Sequence, residues 1–112
     1  MQISSVQQDQ VTIFIIEGKF DATTSKEADA YLQDTINDTH CHLVLDLSQV
    51  SYLSSAGVRV MLAAMQDARK AGGDLRLAVP SGNIRKVIEI AGFSKIMKIF
   101  DTLDEAAESY NS

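Results

Sequence analysis

The chain has 112 residues, 46% of them hydrophobic, and a formal net charge of −5. This length and composition predict one folded domain around a single core and argue against disorder. The acidic balance disfavours direct nucleic-acid binding and contact with anionic membranes, because both partners carry negative charge.

The first part of the chain is predicted to form two β-strands. Ile3 to Val6 fits a short strand, and Val11 to Ile16 is a β-branched, apolar strand that Gly18 ends. Gln7 to Gln10 is short enough to join the two strands as a hairpin. We therefore expect the first strand to be the antiparallel member of the sheet.

A helix and a buried strand are predicted next. Thr24 to Glu27 fits a capping box, with Thr24 as the N-cap and Glu27 at N3. Apolar residues then recur at helical spacing: Ala28, Leu32 and Ile36. Leu43 to Leu47 is a short continuous apolar run, which is typical of a strand buried on both faces.

The second half of the chain continues this alternation. A stripe typical of an amphipathic helix precedes Gly72-Gly73: Val58, Met61, Leu62 and Met65. Further predicted elements are a strand at Leu75 to Val79 closed by Pro80, a helix at Ile84 to Ala91 ended by Gly92, and a strand at Ile96 to Phe100. The capping box at Thr102 to Glu105 begins a C-terminal helix with the stripe Leu103, Ala106, Ala107 and Tyr110.

The predicted order is β-β-α-β-α-β-α-β-α over a single domain, residues 1–112. Strands that alternate with helices indicate an α/β fold, with right-handed crossovers, a mainly parallel sheet of four to five strands and about four helices. In such a sheet the carboxyl ends of the parallel strands share one edge, where ligands bind. The segments expected at this edge are Phe20 to Thr23, Tyr52 to Gly57 and Pro80 to Asn83.

Motifs for catalysis or cofactor binding are not found in the sequence. His40, Cys41 and His42 do not predict a metal site, because strand alternation would turn Cys41 away from both histidines and a structural zinc needs four ligands. Neither histidine can serve Ser55 as a base, since the predicted strand separates them by roughly 17–20 Å. We therefore expect no catalytic residue, no metal and no cofactor.

Several features favour a reducing compartment. Cys41 is the single cysteine, so no intramolecular disulfide can form. The first residues lack the pattern of a signal peptide, and no apolar run approaches the roughly 20 residues of a membrane span. We expect a cytoplasmic protein without membrane insertion.

The stretch from Leu45 to Leu62 resembles the signature of the STAS family, and within it the anti-sigma factor antagonists. The resemblance rests on Asp-Leu-Ser after the buried strand, the aromatic Tyr52, the serine pair and the glycine that opens an apolar helix. Gly18 to Asp21 resembles the family's turn after the second strand, and Ala91 to Phe93 also fits. The similarity extends over nearly the whole chain.

This resemblance implies a protein that, when unphosphorylated, sequesters an anti-sigma factor serine kinase and so frees a sigma factor. It implies phosphorylation at Ser55 and dephosphorylation by a PP2C-type phosphatase, with Asp21 beside the serine. The partner-binding residues implied or suggested by position are Asp21, Thr23, Ser54, Ala56, Gly57 and Arg59. Many antagonists have Asp where this chain has Ser54, and Ser or Thr where it has Ala56.

Other interpretations remain open. Ser54 and Ser55 could serve only as helix N-cap residues, and Asp21 only as a turn residue. A different function for the same family is that of a STAS subunit in a membrane transport complex, such as a lipid-trafficking ABC system. An enzymatic or nucleotide-binding role has no supporting motif.

Overall fold

The computed structural model of the chain describes residues 1–79 and 82–111. The strands are β1 (Gln2–Gln8), β2 (Val11–Phe20), β3 (His42–Leu53), β4 (Asp74–Ala78) and β5 (Ile99–Phe100). The helices are α1 (Ser25–Thr35), α2 (Ser55–Lys70), α3 (Asn83–Ile90) and α4 (Leu103–Glu108), with 3₁₀ turns at Phe93–Lys95 and Ser109–Asn111.

The five strands lie in the sheet in the same order as in the sequence. β1 runs antiparallel to β2, and each remaining pair of neighbours is parallel. This confirms the predicted α/β domain, its order of elements and its antiparallel first strand. Because the strand order never reverses, the sheet lacks the crevice that forms at a topological switch point in other open α/β folds.

Right-handed crossovers in one direction place α1, α2 and α3 on the same face of the sheet. Their buried residues share the main core with the strands: Ala28, Leu32, Met61, Ala64 and Ile88 are among them. α4 lies on the opposite face, over a smaller cluster formed by Val11, Ile13, Val44, Ala78, Ala106 and Ala107. The strands between the two layers are therefore apolar on both faces, as Leu43 to Leu47 predicted.

Two strands extend further than predicted. Gly18 does not end β2, because the strand accommodates it with a φ of 92° and shifts its register against β3 on either side. β3 is twelve residues long and reaches Leu53, so Tyr52 and Leu53 belong to the strand rather than to a loop. Both extensions bring the carboxyl ends of the strands close to the following helices.

The region after α3 also differs from prediction. Phe93–Lys95 forms a 3₁₀ turn, and the backbone N–H of Met97 closes it by donating to the carbonyl of Phe93 at 2.7 Å. The last strand is therefore limited to Ile99–Phe100 instead of beginning at Ile96. The predicted strand closure at Pro80 lies outside the described residues.

The chain near Tyr110 is fastened to the amino ends of β3 and β4. The Tyr110 hydroxyl lies 2.7 Å from the carbonyl oxygen of Leu43 and 2.9 Å from that of Asp74. The guanidinium of Arg76 stacks 3.9 Å from the centre of the Tyr110 ring and also forms an ion pair with Asp74. Burial raises the pKa of Tyr110, so its hydroxyl remains a donor at every physiological pH.

The His–Cys segment is not arranged as predicted. Cys41 is buried, but it precedes β3, so strand alternation does not apply to it. Its sulfur lies 3.7 Å from Nδ1 of His42, and the prediction that it points away from both histidines is wrong. Within residues 1–79 and 82–111, no three His, Cys, Asp or Glu side chains are grouped as metal ligands. No helix in these ranges is long and apolar enough to cross a membrane.

Candidate functional site

The two adjacent serines at the start of α2 have different environments. Ser54 is the only residue between β3 and α2, and it is extended, with φ −96° and ψ 172°. Its side-chain oxygen accepts a hydrogen bond from the backbone N–H of Gly57 at 3.3 Å, which makes Ser54 the N-cap. Ser55 is the first residue of the helix, and its side chain is exposed. Its hydroxyl makes no hydrogen bond with the residues that the structure describes.

The N-terminus of α2 favours a negative group electrostatically. The backbone N–H groups of the first turn and the helix dipole create a partial positive charge there. The first turn of α2 contains no acidic residue that would offset this charge. Ser55 therefore presents an accessible hydroxyl at a point where an added anion is compatible with the helix.

Asp21 forms the turn between β2 and α1. Its Oδ1 atom accepts hydrogen bonds from the backbone N–H groups of Thr23 and Thr24, at 3.0 and 3.1 Å. The bond from the Thr24 N–H is the main cause that lowers the pKa of Asp21, and nearby Lys19 lowers it further. The Oδ1 contacts are those of a turn residue, as the alternative interpretation of Asp21 predicted. Because its pKa is lowered, the carboxylate is ionised at neutral pH.

The predicted capping box at this turn is wrong. Thr24 has helical backbone angles, and its side chain accepts no hydrogen bond from the first turn of α1. Its hydroxyl instead donates to the carbonyl of Lys19 at 2.8 Å and accepts from the backbone N–H of Asp21 at 3.0 Å, so it is directed away from the first turn of α1. The capping box predicted at the start of α4 is confirmed in its N-cap half, since Thr102 accepts from the N–H of Glu105 at 3.1 Å.

The Asp21 turn and the start of α2 are in direct contact. The backbone N–H of Ser54 donates to the carbonyl of Phe20 at 3.0 Å. Gly57 lies against the same carbonyl, where a Cβ atom would be only 2.9 Å from both the Phe20 oxygen and the Leu53 side chain. The two predicted segments thus form one surface, residues 20–24 and 54–59, which we call the Ser55 edge.

The predicted partner-binding residues differ in their access to solvent. Thr23 and Arg59 are exposed like Ser55, while Asp21, Ser54 and Ala56 are partly exposed. Gly57 is buried, and its visible role is to allow close packing of α2 on β2. Of the third predicted segment, Pro80 and Ser81 lie outside the described residues.

Tyr52 belongs to a segment expected at the binding edge, but it is not one of the individually predicted partner-binding residues. The side chain is 53% exposed at the end of β3, and its register partner on β2 is Lys19. An aromatic residue that is left exposed beside a candidate binding surface is a common feature of interface anchors. Its distance in sequence from Ser55, three positions, is the information that could have identified it.

The chain belongs to the STAS domain family, whose model matches residues 2–106. It is 28% identical over 112 residues to a protein named putative anti-sigma factor antagonist BtrV, from Bordetella bronchiseptica, covering 100% of this chain and 97% of the relative. An anti-sigma factor antagonist from Mycobacterium paratuberculosis has a similar structure, with a TM-score of 0.91, 23% identity, and coverage of 99% and 94% of the two chains. The Bacillus cell fate determinant SpoIIAA in its phosphorylated form superimposes with a TM-score of 0.75 and 20% identity, over 97% of this chain and 99% of that chain.

Proposed function

We propose that the chain is an anti-sigma factor antagonist, which binds an anti-sigma factor through the Ser55 edge and is released when Ser55 is phosphorylated. The observation that carries the proposal is the division of roles between the two serines. Ser54 uses its side-chain oxygen to cap α2, whereas Ser55 leaves an exposed hydroxyl at the same helix end. The names of the STAS relatives support the same function.

The proposed switch acts through charge. A phosphate on Ser55 adds about −1.5 to −2 charges at neutral pH. The N-terminus of α2 compensates for part of this charge, so the fold tolerates it. A partner packed on the Ser55 edge would have to desolvate the phosphate and accept its negative charge, which weakens the complex.

In this proposal the chain is a binding protein rather than an enzyme, and it acts in the cytoplasm. The partner is an anti-sigma factor with serine kinase activity, and a PP2C-type phosphatase restores binding by removing the phosphate. Asp21, Thr23, Ser54, Ala56 and Arg59 form the accessible part of the contact surface, with Gly57 as a packing residue beneath it.

The first test is phosphorylation by purified candidate anti-sigma factor kinases from the same organism. With Mg-ATP, we expect one phosphate on the wild-type chain and on Ser54→Ala, and none on Ser55→Ala, measured by tandem mass spectrometry. Phosphate on Ser54 would contradict the assignment of the site. If none of the kinases binds or phosphorylates the chain while a membrane permease co-purifies with it, the transport-complex alternative is favoured.

The second test separates charge at the Ser55 edge from charge elsewhere. Ser55→Asp is compared with Ser94→Asp, which adds the same charge at an exposed serine in the Phe93–Lys95 turn. Titration calorimetry with the kinase identified above should show weaker binding for Ser55→Asp alone, and circular dichroism should show unchanged folding for both. Equal affinities for the two variants would refute a switch at Ser55.

The third test concerns Asp21. Asp21→Asn keeps an oxygen that can accept from the Thr23 and Thr24 N–H groups but removes the charge. We expect a nearly unchanged melting temperature and a slower phosphorylation or weaker binding. A variant that melts several degrees lower, yet is phosphorylated and bound normally, would restrict Asp21 to its role in the turn.

A further inference from the structure

The two edge strands of the sheet differ greatly in length. β5 has two residues, whereas β1 has seven and pairs with β2 alone among the strands that the structure describes. The free side of an edge strand presents unpaired N–H and C=O groups that can pair with another strand. Very short edges are poor templates, so β1 is the edge that could accept a partner.

β1 lacks the features that usually protect an edge strand. Proteins block such edges with charged side chains, proline or irregular pairing. The sequence of β1 is Gln-Ile-Ser-Ser-Val-Gln-Gln, without charge or proline. It pairs with β2 through seven consecutive residues without a register shift. No bulge, charge or proline in β1 therefore hinders pairing on its open side.

The hairpin geometry indicates which backbone groups face outward. Gln8 pairs with Val11 across the two-residue turn of Asp9 and Gln10. The pair that flanks such a turn is hydrogen-bonded, and the pattern alternates along an antiparallel ladder. The N–H and C=O groups of Ile3, Ser5 and Gln7 consequently face away from β2.

We propose that β1 pairs antiparallel with β1 of a second copy of this chain, with a two-fold axis at Ser5. This register places Ser5 opposite the partner's Ser5, and Ile3 opposite the partner's Gln7. It joins outward-facing groups to outward-facing groups, which a hydrogen-bonded pair requires. The two sheets become one continuous ten-stranded sheet with the α1–α3 layers on the same side.

Two observations favour a second copy over an unrelated strand. In a two-fold antiparallel pair, any charge close to the axis would lie near the same charge of the other copy, and β1 carries no charge. Val6 is 52% exposed on the side of the sheet that α4 covers only in part. In the proposed register it lies opposite the partner's Ser4 and diagonal to the partner's Val6, so the pairing removes part of the exposed surface of both valines.

The proposed dimer is weak. A single strand pairing buries less than the roughly 1,000 Å² of a stable interface, and two chains of net charge −5 repel each other. We expect a dissociation constant of about 0.1–1 mM in 0.15 M salt, where the repulsion is partly screened. The proposal does not depend on the role of Ser55.

Sedimentation equilibrium of the purified chain, from about 10 µM to about 1 mM, tests the proposal. Val6→Lys places two lysines diagonally across the axis and should weaken dimerisation about two- to fivefold. Ile90→Lys is the matched control, because it adds the same charge in place of an exposed apolar side chain, which is 87% exposed on α3. It should dimerise at least as well as the wild type. The NMR amide signals of Ile3, Ser5 and Gln7 should shift as the wild-type concentration rises.

A wild-type chain that stays monomeric to about 1 mM would overturn the proposal. Equal weakening by the two lysine variants would also overturn it, since charge alone would then explain the effect. Concentration-dependent shifts confined to other elements would place any self-association elsewhere and would refute the pairing through β1.

Discussion

Ser54 and Ser55 offer a matched pair of substitutions with opposite expected effects. Replacing either serine with alanine removes one hydroxyl from neighbouring positions of the same helix end. Ser54→Ala removes the bond to the Gly57 N–H, whereas Ser55→Ala removes an exposed group that makes no hydrogen bond within the described residues. We therefore expect only the Ser54 change to destabilise the fold.

The magnitude follows from the geometry of the cap. Losing an N-cap side chain costs about 0.5–2 kcal/mol. The 3.3 Å bond is long, which places Ser54→Ala in the lower half of this range, at about 0.5–1 kcal/mol. A chain of 112 residues has an unfolding entropy of about 0.24 kcal/mol/K near its melting temperature. The expected decrease in Tm is therefore about 2–4 °C for Ser54→Ala and close to zero for Ser55→Ala.

Differential scanning calorimetry and urea unfolding measure this difference directly. Phosphorylation by the cognate kinase supplies the opposite readout, because Ser55→Ala should abolish it and Ser54→Ala should retain it. The reasoning would be refuted if both variants lost the same stability, or if Ser55→Ala were the less stable of the two. Either result would mean that the hydroxyl of Ser55, too, stabilises the start of α2.

Three further changes test packing and electrostatics elsewhere. Tyr110→Phe should cost about 1–2 kcal/mol in urea unfolding, because two carbonyl oxygens lose their shared donor, and an unchanged stability would show that water replaces it. Gly73→Ala should cost about 3 kcal/mol or more, since its Cβ would clash with the carbonyl oxygen of Cys41, and wild-type stability would contradict that close contact. Burial opposes ionisation of Asp74, but hydrogen bonds from Arg69 and other groups leave its pKa lowered. Its ionisation therefore stabilises the fold above the pKa of the unfolded chain, about 3.9, and this contribution is lost as pH falls through the lower folded value. Acid titration of unfolding should show a smaller loss for Asp74→Asn than for the wild type, and equal slopes below about pH 4 would contradict this.

The order of elements was predictable because strand and helix periodicities are local and strong in this chain. The ends of elements were less predictable, because they depend on contacts between distant segments. Gly18 looked like a strand end, yet pairing with β3 carries β2 past it to Phe20. The sequence pattern predicts that the last strand begins at Ile96. The 3₁₀ turn at Phe93–Lys95 delays the start of β5 to Ile99.

The same distinction applies to the Ser55 edge. The motif predicted its serines and the adjacent Asp21 turn, and helix-cap preferences correctly made Ser54 an N-cap. Sequence could not reveal that Thr24 leaves the first turn of α1 uncapped while Asp21 bonds the N–H groups of Thr23 and Thr24, since both residue types suit an N-cap. It also could not show that Gly57 is buried, because this requires the position of Phe20.

The single residue between β3 and α2 has a consequence for the timing of any response. Ser54 lies directly between a strand of twelve residues and a helix of sixteen, so the backbone has no flexible loop at this point. In the proposed switch the backbone of Ser55 keeps its position after phosphorylation. The loss of binding therefore does not require a slow rearrangement of the chain. The delay between stimulus and response is then set by the enzymes that add and remove the phosphate group. The domain itself stays rigid and contributes no delay of its own.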